Sequence, residues 1–245
     1  MDWQGQVAVV TGASSGLGRR LALDLAGAGA VVTGLARRPD LLETLTDEMR
    51  RTSPHSEALS LDVSRVEEYL AVLDEVESRH GRIDVLLNVA GHGGLRRSRW
   101  PDVEAVREVM EVNFFAPYAS MVHVVPGMRS RRHGVVANVV SDDGRAPGPG
   151  PGDYEASKAG LAAATESLAF LGRPDGVHLH VVYPRFRSVS IWNRLLDAGA
   201  ADRGVLRGAR TTVRYVSPRY VFRTCSFVFS EAAVSARTIR PVSST

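Results

Sequence analysis

The chain has 245 residues, of which 44% are hydrophobic and 23% are charged, values typical of folded globular proteins that exclude wholesale disorder. Its net charge of +3 comes from 30 basic and 27 acidic residues, a small excess that gives little support to nucleic-acid binding. No run approaches the roughly 18 apolar residues that a membrane helix needs, and the first residues lack the features of a signal peptide. We therefore expect a cytoplasmic protein that makes no membrane contact.

The chain uses cysteine and lysine once each. The single Cys225 excludes an internal disulfide and a cysteine-based metal site, and we expect no metal. Lys158 is the only lysine, and the other 29 basic residues are arginines. Arginine replaces lysine at solvated positions but not where a compact ammonium on a flexible stem is required. Lys158 is therefore a candidate functional residue, with chance as the alternative.

Short β-branched runs alternate with amphipathic stretches from the start of the chain. The pattern predicts strands at 7–11, 30–35, 58–62, 83–88, 135–140 and 177–183, and helices at 16–28, 41–51, 66–80, 103–131 and 153–171. This alternation predicts an α/β fold with a doubly wound, mainly parallel sheet flanked by helices. No repeat or linker divides the chain, so we predict one domain over residues 1–245.

The pattern weakens toward the C-terminus. The segment APGPGPG at 146–152 is predicted to be a loop at the carboxyl ends of the strands. Residues 185–214 are arginine-rich and irregular, and we interpret them as a lid over the substrate. A last helix at 218–233 and a weak strand at 237–242 complete the prediction.

A glycine-rich run follows the first predicted strand and opens the first predicted helix. Glycines in that place permit a tight turn and a close backbone approach, and the helix N-terminus attracts a pyrophosphate. A purely structural turn is the alternative. The dinucleotide contacts predicted from this run are Thr11, Gly12, Ser14, Ser15, Gly16, Leu17 and Gly18.

The ends of the second and third predicted strands bear on the choice of cofactor. The second strand ends in Arg37 and Arg38, without the carboxylate that an NAD site uses to hold the ribose hydroxyls. This favours NADP(H) over NAD(H), with Arg37 favoured over Arg38, against the alternative of a solvated helix start. Asp62 is a candidate contact to the adenine or simply a cap for the next helix, and Val63 beside it is a further candidate cofactor contact.

Tyr154 and Lys158 lie four residues apart on a predicted helix, so their side chains share one face. An ammonium close to a phenol stabilises the phenolate, and we therefore expect the Tyr154 pKa to fall below its ordinary value of about 10. Such a phenol is a usable acid or base near neutral pH.

Several motifs occur together in a fixed order. They are TGASSGLG at 11–18, NVAG at 88–91, Asn113 on a helix, Ser141 thirteen residues before Tyr154, and YEASK at 154–158. With these motifs, residues 5–184 resemble the single-domain branch of the short-chain dehydrogenase/reductase family. The resemblance implies a Rossmann-type fold and an NADP(H)-dependent exchange between a ketone or aldehyde and an alcohol, most simply a ketoreductase.

The resemblance also implies a role for each residue of the motifs. Tyr154 would be the general acid or base, and Ser141 would hydrogen-bond the same substrate oxygen. Lys158 would lower the Tyr154 pKa and hold the nicotinamide ribose, and Asn113 would anchor a water that leads protons to Lys158. In isolation, Asn113 and Ser141 would be interpreted as a buried helix residue and a turn residue. Further cofactor contacts would come from Asn88, Ala90, Gly91 and Pro184.

Some features depart from the family pattern or leave alternatives open. Arg185 follows Pro184 where the family has glycine, and Val189 stands at the usual threonine position. Asp142 and Asp143 follow Ser141 and either polarise a turn or face the pocket. A carboxylate facing the pocket would disfavour anionic substrates and would oppose the effect of Lys158 on Tyr154.

Partners and rival functions also stay open. Arg129, Arg131, Arg132 and His133 form either a landing patch for an acidic carrier protein or, as we favour, a solvated loop. Family habit implies a homodimer or homotetramer packed through the long fourth and fifth helices, acting on a small-molecule substrate. The rival functions are an NADP(H)-binding sensor or scaffold, and a dehydratase or epimerase with a retained cofactor.

Overall fold

A computed structural model of the chain describes residues 3–93, 102–147 and 150–184. The predicted lid at 185–214, the last helix, the final strand and Cys225 lie outside these residues, as do Arg185 and Val189. The assignment of residues 1–245 to one domain therefore stays a prediction.

The described residues contain six strands and six α-helices. The strands are β1 (Val7–Thr11), β2 (Val31–Ala36), β3 (Glu57–Ser60), β4 (Val85–Asn88), β5 (Gly134–Val139) and β6 (Val177–Val182). The helices are α1 (Gly16–Gly27), α2 (Pro39–Arg50), α3 (Val66–His80), α4 (Val103–Met110), α5 (Ala116–Arg131) and α6 (Asp153–Gly172). None of these helices has the length and apolar content needed to cross a bilayer.

The strands form one parallel sheet in the order β3-β2-β1-β4-β5-β6. The order reverses between β1 and β4, and ligands of doubly wound sheets bind at the carboxyl ends of the strands beside such a reversal. The predicted doubly wound α/β fold is confirmed.

Burial on both faces explains why the strands are continuous apolar runs. Along β1, Val7 and Val9 pack into the core cluster on one side of the sheet, whereas Ala8 and Val10 pack into the cluster on the other side. Successive side chains of a strand point to opposite faces, so a strand covered by helices on both faces is apolar throughout.

The predicted helix at 103–131 is wrong in one respect. A π-helical turn at Glu111–Phe115 separates α4 from α5. A π turn inserts one extra residue into the helical ladder, and such turns often lie at functional sites. Here the turn contains Asn113, whose side chain is fully buried.

Candidate active site

The glycine-rich loop between β1 and α1 is tied to the loop after β4. The Thr11 hydroxyl accepts hydrogen bonds from the backbone N–H groups of Val89 (3.0 Å) and Ala90 (3.1 Å). A Cβ on Gly12 would lie 2.8 Å from the Ala90 nitrogen, and a Cβ on Gly18 would lie 2.3 Å from the Gly12 oxygen. Only glycine fits at these two positions, so the sequence of the loop is dictated by its packing.

Replacing Gly12 by Ala is expected to destabilise the protein by about 1 to 3 kcal/mol and to weaken dinucleotide binding, because Gly12 has a φ of 71° and no room for a methyl group. Gly27→Ala is the matched control, since nothing lies within 4 Å of that Cβ position in α1. Thermal unfolding and titration with NADPH measure both effects. Equal stability and equal NADPH affinity of the two variants would show that the close approach of Gly12 to Ala90 contributes to neither.

The N-terminus of α1 is open to an anion. Its first turn contains no acidic residue, and the side chain of its N-cap residue, Ser15, makes no capping hydrogen bond. Leu17 is half-buried against the core, so the helix start is held in place. Free N–H groups and the positive end of the helix dipole attract a phosphate at such a position.

Arg38, not Arg37, lies on the glycine-rich loop. Its guanidinium donates to the hydroxyls of Ser14 (2.8 Å) and Ser15 (2.7 Å). The backbone carbonyl of Arg37 accepts a hydrogen bond from Ser60, and the Arg37 charge acts on Asp62. The sequence pattern favours Arg37, whereas the geometry brings Arg38 to the loop.

Asp62 takes the role of a turn residue. Its carboxylate accepts from the backbone N–H (3.1 Å) and the hydroxyl (2.8 Å) of Ser64. Burial raises the Asp62 pKa, but these hydrogen bonds and the charges of Arg37 and Arg65 outweigh burial and hold the pKa below its ordinary value. The next residue, Val63, is buried in the core.

The Asn88 side chain faces the protein interior. Its amide donates to Asn138 on β5 (2.8 Å) and to Ser120 on α5 (3.2 Å), and its oxygen accepts from the Tyr69 hydroxyl (3.1 Å). Asn138 also donates to Thr165 on α6. Asn88 therefore joins helices to the sheet, and any cofactor contact from this position would come from its backbone.

Asn113 joins three parts of the site. Its side-chain oxygen accepts from the backbone N–H of His92 (2.7 Å), and its amide donates to the His92 carbonyl (2.8 Å) and to the Ser157 hydroxyl (3.0 Å). Both amide hydrogens are thus engaged within the protein. A water at this side chain would have to donate to its oxygen, which keeps a free lone pair.

Ser141 and Tyr154 meet at the carboxyl end of β5. Ser141 follows β5, and its hydroxyl lies close enough to the Tyr154 phenol to lower the Tyr154 pKa. The same hydroxyl donates to the Asp143 carboxylate (3.1 Å) and accepts from the Asp143 backbone N–H (3.3 Å). The single hydroxyl proton is directed at Asp143, so it must turn away from Asp143 before Ser141 can donate to the Tyr154 oxygen or to a substrate oxygen.

Lys158 is a buried ammonium beside Tyr154. Only 4% of Lys158 is exposed, and its Nζ donates to the Val139 carbonyl at 3.0 Å. Burial lowers the Lys158 pKa from 10.5 to about 8. The Nζ lies 5.9 Å from the centre of the Tyr154 ring, and a Cβ on Gly91 would lie 3.5 Å from the Nζ. The ammonium therefore keeps donors for a ligand on the side of Gly91.

The expected lowering of the Tyr154 pKa is wrong for this arrangement. Burial raises the Tyr154 pKa, the hydrogen bond with Ser141 lowers it, and the negative charges of Asp143 and Glu155 raise it further. The net shift is upward because the desolvation of a phenolate is costly and Lys158 turns its ammonium to Val139. The Asp143 charge raises the Tyr154 pKa, the direction opposite to the lowering expected from Lys158.

A family profile described as short chain dehydrogenase matches residues 6–197. The chain belongs to the short-chain dehydrogenase/reductase family. The resemblance carried by the motifs is thereby confirmed, and the chain is an oxidoreductase of a family that binds nicotinamide dinucleotides and acts on alcohols and carbonyl compounds.

Individual proteins of the short-chain dehydrogenase/reductase family align over most of this chain. A short chain dehydrogenase of Pseudocercospora fijiensis is 37% identical over 68% of this chain, which spans 54% of that relative's length. A fatty acyl-CoA reductase of Mycobacterium tuberculosis is 32% identical over 89% of this chain and 78% of its own length. The crystal structure of L-sorbose reductase from Gluconobacter frateurii, complexed with NADPH and L-sorbose, superposes with a TM-score of 0.78 at 27% identity, over 95% of this chain and 93% of that chain.

Ser157 is a site residue that the sequence prediction missed. It lies within the YEASK motif, and its hydroxyl donates to the Tyr154 carbonyl (2.7 Å) while accepting from Asn113. The signal was present, because positions three and four after Tyr154 share a helix face. Arg145 is a second residue that the sequence prediction missed. Its guanidinium lies 3.6 Å above the ring of Tyr183, which directly precedes Pro184, the last described residue of this segment.

Proposed function

We propose that this member of the family is an NADP(H)-dependent ketoreductase that interconverts a ketone or aldehyde and an alcohol. The observation that carries the proposal is the convergence of Ser141, Tyr154 and the buried Lys158 at the carboxyl edge of the sheet. Among the residues that the structure describes, the Lys158 ammonium pairs with a backbone carbonyl and with no carboxylate. A buried charge held in this way costs stability, and such costs are common in active sites.

The residues present fit a nicotinamide dinucleotide. The uncapped start of α1 suits the pyrophosphate, and Lys158 keeps donors for ribose hydroxyls beside Gly91, where a side chain would fill the space. Ala90 and Gly91 would lie along the dinucleotide, with Pro184 at its nicotinamide end. When bound, the nicotinamide supplies or takes up the hydride.

The side chains around the reacting carbon handle its oxygen. Tyr154 would donate its phenolic proton to the substrate oxygen in reduction and receive it in oxidation. Ser141 would hydrogen-bond the same oxygen and fix its position. Lys158 would stabilise the phenolate once a ligand draws the ammonium away from Val139. Asn113 would hold the backbone at His92 and, through Ser157, the helix turn that carries Tyr154.

Turnover of NADPH with a panel of aldehydes and ketones tests the proposal. We expect loss of the reduced-nicotinamide absorbance with stoichiometric formation of alcohol. NADPH binding without consumption across the panel would indicate a sensor or scaffold instead. A tightly held cofactor with unchanged redox state and a dehydrated or epimerised product would indicate a dehydratase or an epimerase.

The Arg38 guanidinium supports the preference for NADP(H), because it lies where a phosphate on the adenosine ribose could replace the hydroxyls of Ser14 and Ser15 as its partner. We expect Arg38→Ala to raise the KM for NADPH about tenfold or more while the KM for NADH changes little. Arg37→Ala is the matched control on the adjacent residue, with an expected change below about threefold. A larger effect of Arg37→Ala would indicate that Arg37, and not Arg38, binds the phosphate on the adenosine ribose.

Free small molecules are the substrates we propose, rather than carrier-bound ones. The basic cluster is engaged within the chain, since Arg129 pairs with Asp175 (2.6 Å) and Arg131 pairs with Glu77 (3.0 Å). An engaged guanidinium is a poorer anchor for an acidic partner.

We also propose a homodimer or homotetramer in the cytoplasm. Along α5 and the turn before it, Phe115, Tyr118 and Val122 are 46%, 37% and 52% exposed and share one helix face. An exposed apolar row of this kind suits a second copy of the chain. Light scattering of the purified protein measures the number of subunits.

A further inference from the structure

Asp143 is held rigidly beside the reacting groups. It lies in the short 3-10 turn Asp142–Gly144 that follows β5, and Ser141 caps that turn. A Cβ on Gly144 would lie 2.9 Å from the Ala159 nitrogen, so the turn is pressed against α6, the helix that carries Tyr154. The position of the Asp143 carboxylate relative to Tyr154 is therefore set by backbone packing.

The Asp143 carboxylate interacts with both groups that would touch the substrate oxygen. It accepts the Ser141 hydroxyl proton at 3.1 Å, and its charge acts on the Tyr154 phenol. A substrate carbonyl oxygen must compete with Asp143 for the Ser141 proton. A substrate that itself donates a hydrogen bond to Asp143 would release that proton.

No cation neutralises this carboxylate among the residues that the structure describes. The side chain is exposed and forms no ion pair there. Two basic residues of the site are engaged elsewhere, with Arg145 stacked on Tyr183 and Lys158 donating to Val139. A ligand at Tyr154 would thus meet a carboxylate that still has acceptor capacity.

We propose that Asp143 is a specificity-determining residue that selects substrates by the group on the carbon next to the reacting carbon. This inference rests on the oxidoreductase activity proposed above. On that adjacent carbon, Asp143 favours a hydroxyl or an ammonium group and disfavours a carboxylate. The substrate class is then hydroxyketones, aminoketones and the corresponding alcohols. Two negative charges about 4 to 8 Å apart near a protein surface repel by enough to change specificity about tenfold or more.

The test uses methyl ketones of one chain length that end in a hydroxyl, a trimethylammonium or a carboxylate group. We expect the wild-type protein with NADPH to give kcat/KM values for the first two that exceed the third about tenfold or more. Asp143→Asn should reduce that ratio about tenfold, because the amide keeps an acceptor for Ser141 but loses the charge. Asp142→Asn is the matched control for net charge, and Asp143→Glu should preserve the order.

Binding of the same ketones to the protein–NADPH complex can be measured by quenching of the nicotinamide fluorescence. It gives the charge order, meaning the preference for the hydroxyl and trimethylammonium ketones over the carboxylate ketone, without turnover. Turnover that shows no charge order, or an order unchanged in Asp143→Asn, would overturn the inference and leave the proposed function standing. A charge order in binding that Asp143→Asn removes, without any turnover, would support the role of Asp143 and contradict the oxidoreductase. A wild-type preference for the carboxylate ketone overturns the inference even if the variants do not fold.

Discussion

Replacing Tyr154 by Phe is expected to lower kcat by about 10²- to 10⁴-fold, while the affinity for NADPH stays within about twofold of the wild type. The phenol oxygen lies beside Ser141, where we propose that it exchanges a proton with the substrate. The ring itself stays, so the packing around it is preserved. Steady-state kinetics and NADPH titration measure the two quantities.

Tyr118→Phe is the matched control for this loss of a hydroxyl, because Tyr118 is partly exposed on α5 and lies outside the site. It should retain full activity. A Tyr154→Phe variant that keeps more than about a tenth of the wild-type kcat would remove Tyr154 from the chemistry and favour a different proton donor.

Replacing Lys158 by Met is expected to abolish turnover and, at the same time, to stabilise the ligand-free protein by about 2 kcal/mol at neutral pH. Burial lowers the Lys158 pKa from 10.5 to about 8, so below pH 8 the folded protein carries a buried charge that the unfolded chain holds in water. The penalty fades between about pH 8 and pH 10.5, where only the unfolded chain still binds this proton. The stability of the wild type relative to Lys158→Met should therefore rise across that window.

Lys158→Arg serves as the matched variant that keeps the charge. A guanidinium is larger than an ammonium, and the space beside Gly91 is narrow, so we expect activity to fall about a hundredfold or more. Chemical unfolding at several pH values measures the stability of all three proteins. A destabilised Lys158→Met variant, or an active Lys158→Arg variant, would show that Lys158 is an ordinary packing residue.

The fold was predictable because buried positions require apolar residues in a regular pattern. Strands covered on both faces must be apolar throughout, and β1 was located to the residue. Helix α3 was also located to the residue, since its apolar stripe is regular and Gly81 ends it. The family was predictable because the motifs hold ligand-binding backbone geometry, as the clash of any side chain at Gly12 shows.

Other features depend on three-dimensional packing that a sequence pattern does not report. Arg37 and Arg38 are adjacent, and only the path of the chain after β2 decides which guanidinium reaches Ser14. The π turn at Glu111–Phe115 contains neither glycine nor proline, so the sequence pattern predicts one long helix through it. The upward direction of the Tyr154 pKa shift is set chiefly by burial, and the charges of Asp143 and Glu155 add to it.

The most direct measurement is the isotopic content of the product formed from a carbonyl substrate and NADPH that carries deuterium at its transferable position. We expect mass spectrometry to show one deuterium on the carbon that bears the new hydroxyl with wild-type protein, and about a hundredfold less of this product or lower with Tyr154→Phe. An unlabelled product, or a labelled cofactor recovered unchanged after product has formed, would contradict an oxidoreductase built on Ser141, Tyr154 and Lys158.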